Sequence, residues 1–69
     1  MNSGCIRFID VKRMLLRNGF ILDRQSGGHV IFKRVNEHVA IPARGANRMI
    51  LRRIMKSCDL ADDPLFNKI

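Results

Sequence analysis

Apolar residues never run more than three deep in this chain; Met14-Leu15-Leu16, Val30-Ile31-Phe32 and Met49-Ile50-Leu51 are among the longest runs. Runs this short exclude a membrane-spanning helix and the apolar stretch of a secretory signal. They leave only two-sided elements, each with one apolar and one polar face, which must share a single thin core. A chain of 69 residues has room for one domain, spanning 1–69. A domain of that size buries only about 60% of the surface its unfolded chain exposes. With 46% hydrophobic residues the chain is nevertheless globular in composition, not a disordered basic tail.

The spacing of the apolar residues changes along the chain. After Asp10, a candidate helix cap, Val11, Met14, Leu15 and Asn18 follow at helical spacing, and Asn18-Gly19 is a stop signal. Phe20-Ile21-Leu22 opens an extended run to Arg24. Gln25-Ser26-Gly27-Gly28 reads as a turn, His29–Arg34 as a second strand, Asn36-Glu37 as another turn, and His38–Ile41 as a third strand halted by Pro42. Asn47 is a good cap for a second helix whose apolar positions are Ile50, Leu51, Ile54, Met55 and Cys58. Asp62 or Asp63 before Pro64 predicts a short last helix through Leu65 and Phe66. The expected class is α+β: a three-stranded antiparallel sheet with helices on one face and its other face open. Phe20, Phe32 and Phe66 are core candidates, and Met14 and Met55 are packing residues.

Charge is concentrated in the middle of the chain. Residues 24–57 carry Arg24, Lys33, Arg34, Arg44, Arg48, Arg52, Arg53 and Lys56 against Glu37 alone, a net +7 that equals the whole chain's formal charge. The flanks cancel: Arg7, Lys12, Arg13 and Arg17 exceed Asp10 and Asp23 by two, while Asp59, Asp62 and Asp63 exceed Lys68 by two. A cationic surface that only kept the protein dispersed would not need this segregation, so a polyanionic partner is expected, either nucleic acid or an acidic protein. A membrane surface is not, because no helix sets a Lys/Arg face against Trp or Phe. Arg48, Arg52 and Lys56 recur every four residues and form a ridge along one helix face.

Among residues able to do chemistry, His29 stands out. If Val30 and Phe32 point into the core, His29 and Ile31 face the open side. Gly27 and Gly28 leave the adjacent backbone uncrowded enough for a phosphate. Lys33 shares the parity of His29, and Arg24 lies across the turn. A group that titrates near neutrality beside cations suits phosphodiester cleavage in RNA, where one oxygen loses a proton, another gains one, and a pentacoordinate phosphate must be stabilised. A strand histidine is still more often a plain surface residue. His38, with no glycine turn beside it, reads as an exposed edge-strand residue. Cys5 and Cys58 read as free thiols in a reducing cytosol, and no metal site or nucleophile triad has suitable spacing. With Trp and Tyr absent, base stacking cannot be the main mode of RNA contact.

Four blocks, Lys12–Phe20 (KRMLLRNGF), Arg24–Lys33 (RQSGGHVIFK), Val39–Pro42 (VAIP) and Ile50–Leu60 (ILRRIMKSCDL), resemble the HicA family of bacterial mRNA interferase toxins in order and spacing. The most specific piece is a helix ending in Asn-Gly-Phe, then Gly-Gly-His before an Ile-Phe strand. The loop Arg44–Arg48 departs from the small-residue lead-in usual in that family, and residues 1–8 match nothing in it. The resemblance implies a fold like the double-stranded RNA-binding domain, α-β-β-β-α. It also implies a cytoplasmic bacterial endoribonuclease with His29 catalytic, acting as a toxin and neutralised by a HicB-type antitoxin that covers the active surface. His29 would serve as general base or general acid without metal or other cofactor. Arg24, Gly27, Gly28, Lys33, Arg44, Arg48, Arg52 and Lys56 are the expected RNA contacts. Two alternatives remain: a non-catalytic double-stranded RNA-binding module, and a basic protein whose only partner is acidic.

Overall fold

The computed structural model describes residues 4–69. Its elements are β1 (Cys5–Ile6), α1 (Phe8–Arg17), β2 (Ile21–Ser26), β3 (His29–Arg34), β4 (Glu37–Pro42), β5 (Ala46–Asn47), α2 (Arg48–Ser57) and a terminal 3₁₀ helix (Pro64–Lys68). Strands β2, β3 and β4 form an antiparallel sheet in that order, and β1 and β5 pair separately. The α+β architecture is therefore the expected one.

Alternation along the central strand sets the layers. Val30 and Phe32 on β3, with Val39 and Ile41 on β4, are buried with Val11, Met14 and Leu15 of α1 and Leu51 and Met55 of α2. Both helices thus cover the same side of the sheet. The opposite parity, His29, Ile31 and Lys33 on β3, is left uncovered. Phe20 and Phe32 are core residues as expected, while Phe66 packs against the core only in part.

Several boundaries differ from those read in the sequence. Asp10 is not the cap of α1: the helix begins at Phe8 with Arg7 before it, and Asp10 sits in the first turn, accepting a hydrogen bond from Arg7 Nε at 3.2 Å. Tertiary contacts move this start. Ile6 is paired with Ala46, and the Phe8 ring lies 6.2 Å from that of Phe32, so the chain turns into the helix three residues early. Glu37 belongs to β4, opposite Arg34, and the turn is Val35-Asn36. Strand β2 runs on through Gln25 and Ser26, so that only Gly27 and Gly28 form the loop. Pro42 ends β4 within the sheet, opposite His29, a position open to proline because β4 is an edge strand. Ile50 is 47% exposed, not a core residue, since Leu51 and Met55 are the positions of α2 that point at the sheet.

Asn47 caps α2 as expected, its side chain accepting from the backbone N–H groups of Met49 and Ile50. Of the two candidates before Pro64, Asp63 is the cap and accepts from Leu65 N–H at 2.9 Å. Cys5 is exposed, Cys58 is buried, and both are free thiols.

Candidate nucleic-acid site

His29 is the first residue of β3 and is exposed on the helix-free face. Ser26 lies opposite it on β2 and Pro42 opposite it on β4. The loop that delivers it is two residues long, with Gly27 at φ 60° and no positive φ at Gly28, the pattern of a type II′ hairpin turn. Gly28 needs no special φ, and a Cβ placed on it would meet no protein atom within 4 Å. Its missing side chain therefore leaves open space, beside the histidine, for something outside the protein.

That space is a shallow depression of about 400 Å³ lined by Gly28, His29, Pro42, Ala43 and Arg44. Its walls are continuous with the sheet, because Ala43 N–H donates to Gly28 O at 2.8 Å. Arg44 and His29, fifteen positions apart in the chain, are thus brought to one hollow.

Arg24 and Lys33 occupy the same open face further along. A bulge at Asp23 shifts the β2–β3 register between Leu22 and Arg24, so that Arg24 pairs with Ile31 and Ile21 with Lys33. The bulge residue holds both cations: Asp23 carboxylate oxygens lie 2.7 Å from an Arg24 guanidinium nitrogen and 3.7 Å from Lys33 Nζ. Sequence reasoning missed this pairing, because a bulge has no reliable signature in six residues of alternating chain. His38 is exposed on β4 opposite Lys33, four positions along the strand from the residue facing His29.

The α2 cations are placed elsewhere. This helix covers the other side of the sheet, so its ridge lies on the layer opposite His29. Lys56 and Arg53 are exposed and line a second, smaller hollow with Met49 and Arg52. Arg52 is half-buried and internally engaged: it donates to Ile69 O at 2.7 Å and its guanidinium stacks 4.6 Å above the Phe66 ring. Arg48 begins α2, and its backbone N–H reaches back to Gly4 O. Its side chain is exposed, and it does not line the hollow of His29.

Arg34 contributes to the charge of the middle segment but not to an open surface. It donates to Asn18 O, Cys58 O and Glu37 and lies 4.5 Å over the Phe20 ring. The cationic segment is thus divided by the fold into internal struts and outward charges.

A family model described as "HicA toxin of bacterial toxin-antitoxin" matches residues 9–60 of the chain. No curated protein and no solved structure gives a significant match.

Proposed function

The chain belongs to the HicA toxin family of bacterial toxin–antitoxin systems, and from that membership we propose that it is a cytoplasmic endoribonuclease that cleaves mRNA without a metal or other cofactor. The observation that carries this reading is the exposed His29 in a hollow that it shares with Gly28, where a Cβ would meet nothing, and with Arg44, whose side chain has no partner among the described residues. His29 makes one of the two proton transfers, as base toward the 2′-hydroxyl or as acid toward the leaving 5′-oxygen, and solvent makes the other. The 2′-oxygen attacks phosphorus, the bond to the 5′-oxygen breaks, and the products are a 2′,3′-cyclic phosphate and a 5′-hydroxyl. Arg24 and Lys33, on the same open face as His29, hold flanking phosphates.

The natural inhibitor of such a toxin is a HicB-type antitoxin, and the economical way to silence the site is to cover the open face. RNA and antitoxin then compete for one surface. Induced expression in bacteria tests the enzyme: wild-type chain should arrest growth and deplete transcripts, and His29→Ala should do neither. Purified wild-type protein should cut RNA in the presence of EDTA. Full cleavage by a folded His29→Ala protein overturns the assignment.

The ridge on the helical layer favours a second reading, a non-catalytic module that binds duplex RNA. Protein that binds duplexes yet never shortens a transcript would establish it.

A further inference from the structure

Resting on the ribonuclease reading above, we propose that Arg44 is a second catalytic residue, clamping the phosphate at which His29 works. Of the arginines among the described residues, Arg7, Arg17, Arg24, Arg34 and Arg52 are committed to protein acceptors. Arg44 makes no such bond there, and it alone of the uncommitted arginines lines the hollow of His29.

Its backbone is held on both sides. Ala43 N–H is bonded to Gly28 O at 2.8 Å, and Gly45 N–H to Pro42 O at 3.0 Å. Gly45 is buried at φ 122°, and a Cβ there would sit 2.5 Å from the carbonyl oxygen of Ile6. Ala46 then pairs with Ile6. The N-terminal strand, whose residues fall outside the four family-like blocks, thereby fixes the loop that carries Arg44. A guanidinium whose backbone is fixed beside the site suits the charge that builds on phosphorus, because its planar fork offers two donors to two oxygens at once.

The step balances without a further reactant. The 2′-hydroxyl proton passes to His29 or to water as the O2′–P bond forms, and the leaving 5′-oxygen takes a proton from water or from His29. The additional negative charge of the pentacoordinate phosphate falls on the oxygens that Arg44 faces. A contact that strengthens in this way lowers kcat when removed and leaves KM nearly unchanged.

Steady-state cleavage of a dinucleoside monophosphate and of a longer RNA tests this. Arg44→Ala should lower kcat by about 10²-fold on both substrates, with KM shifted less than about threefold, and Arg44→Lys should restore less than a tenth of the loss. His29→Ala, run alongside, separates the two proposals. If it is inactive while Arg44→Ala keeps wild-type kcat, or raises KM alone, Arg44 is not catalytic and the ribonuclease reading stands. If His29→Ala itself cleaves normally, the ribonuclease reading falls and this inference with it.

Discussion

Asp63 and Arg17, 46 positions apart, meet in a bidentate pair, with Arg17 donating to the two carboxylate oxygens at 2.7 and 3.3 Å. Asn18 adds a bond at 2.8 Å, and Leu65 N–H a fourth. One carboxylate, 8% exposed, thus closes the end of α1 and starts the terminal 3₁₀ helix. Burial alone would raise the Asp63 pKa, but the bonds from Arg17, Leu65 and Asn18, with the charge of Arg17, outweigh it and hold the carboxyl below its usual value. Because the folded-state pKa is depressed, this stabilisation is complete above the ordinary Asp range, near pH 4, and is lost as pH falls further. Asp63→Asn should therefore be less stable than wild type at pH 6, and the gap should narrow as the pH is lowered below the ordinary Asp range. Parallel stability curves from denaturant melts would refute the linkage. Asp63→Ala, which also loses the cap, should cost about 1–2 kcal/mol at neutral pH.

Arg34 binds three separate segments to β3: the end of α1 through Asn18 O, the end of α2 through Cys58 O, and the start of β4 through Glu37. Arg34→Ala leaves two part-buried carbonyls without this donor and should cost about 2–3 kcal/mol. For a domain this small that corresponds to a fall in Tm of about 8–24 °C. Arg34→Lys should recover little, since a single ammonium cannot span the three acceptors. A thermal melt within about 2 °C of wild type for Arg34→Ala would contradict the strut role.

Asp23 pairs with both Arg24 and Lys33, so on the proposed RNA-binding face its carboxylate competes with a phosphate for either cation. Surface pairs of this kind are worth about 0.2–1 kcal/mol each. Removing the carboxylate in Asp23→Asn should therefore tighten RNA binding by about twofold to tenfold at low salt, and steepen its salt dependence. Arg52→Ala should act in the opposite domain of behaviour, lowering the melting temperature through its lost contacts with Phe66 and Ile69. Equal RNA affinity for wild type and Asp23→Asn, titrated at several salt concentrations, would remove Arg24 and Lys33 from the binding surface.

Gly45 has no room for a side chain, and its φ of 122° is one that L-residues rarely adopt. Gly45→Ala should destabilise the fold by about 1–3 kcal/mol and loosen the β1–β5 pair. Hydrogen exchange would show this as faster exchange at the Arg48 amide, which bonds Gly4 O, with the β2–β3–β4 ladder spared. Unchanged protection at that amide would mean that the loop relieves the clash by another route.

Periodicity made the main elements legible before any coordinates. The spacing of Val11, Met14 and Leu15, the alternation from His29 to Arg34, and Asn47 ahead of an apolar helical face each report one local geometry, and each is present in the structure. The strand parity that puts His29 on the open face followed from the same alternation. What was misplaced depends on distant partners. Asp10 has the chemistry of a cap, but Phe8 and Ile6 are drawn into the helix and strand by Phe32 and Ala46. The pairing of Asp23 with Arg24 and Lys33 arises from a bulge, and that bulge exists only in register with β3.

The candidate site divides in the same way. The sequence alone determined that positive charge is gathered between residues 24 and 57 and that a Gly-Gly-His turn lies within it, because composition and turn chemistry are local. Only the tertiary structure decided which of those charges are available. Arg34 and Arg52 are spent on carbonyls and aromatic rings, Arg24 and Lys33 share one carboxylate, the α2 ridge lies across the sheet from His29, and Arg44 alone shares its hollow. A cation carries the same charge wherever it stands in the chain. Its partner, buried or outside the molecule, is set by which segments pack together.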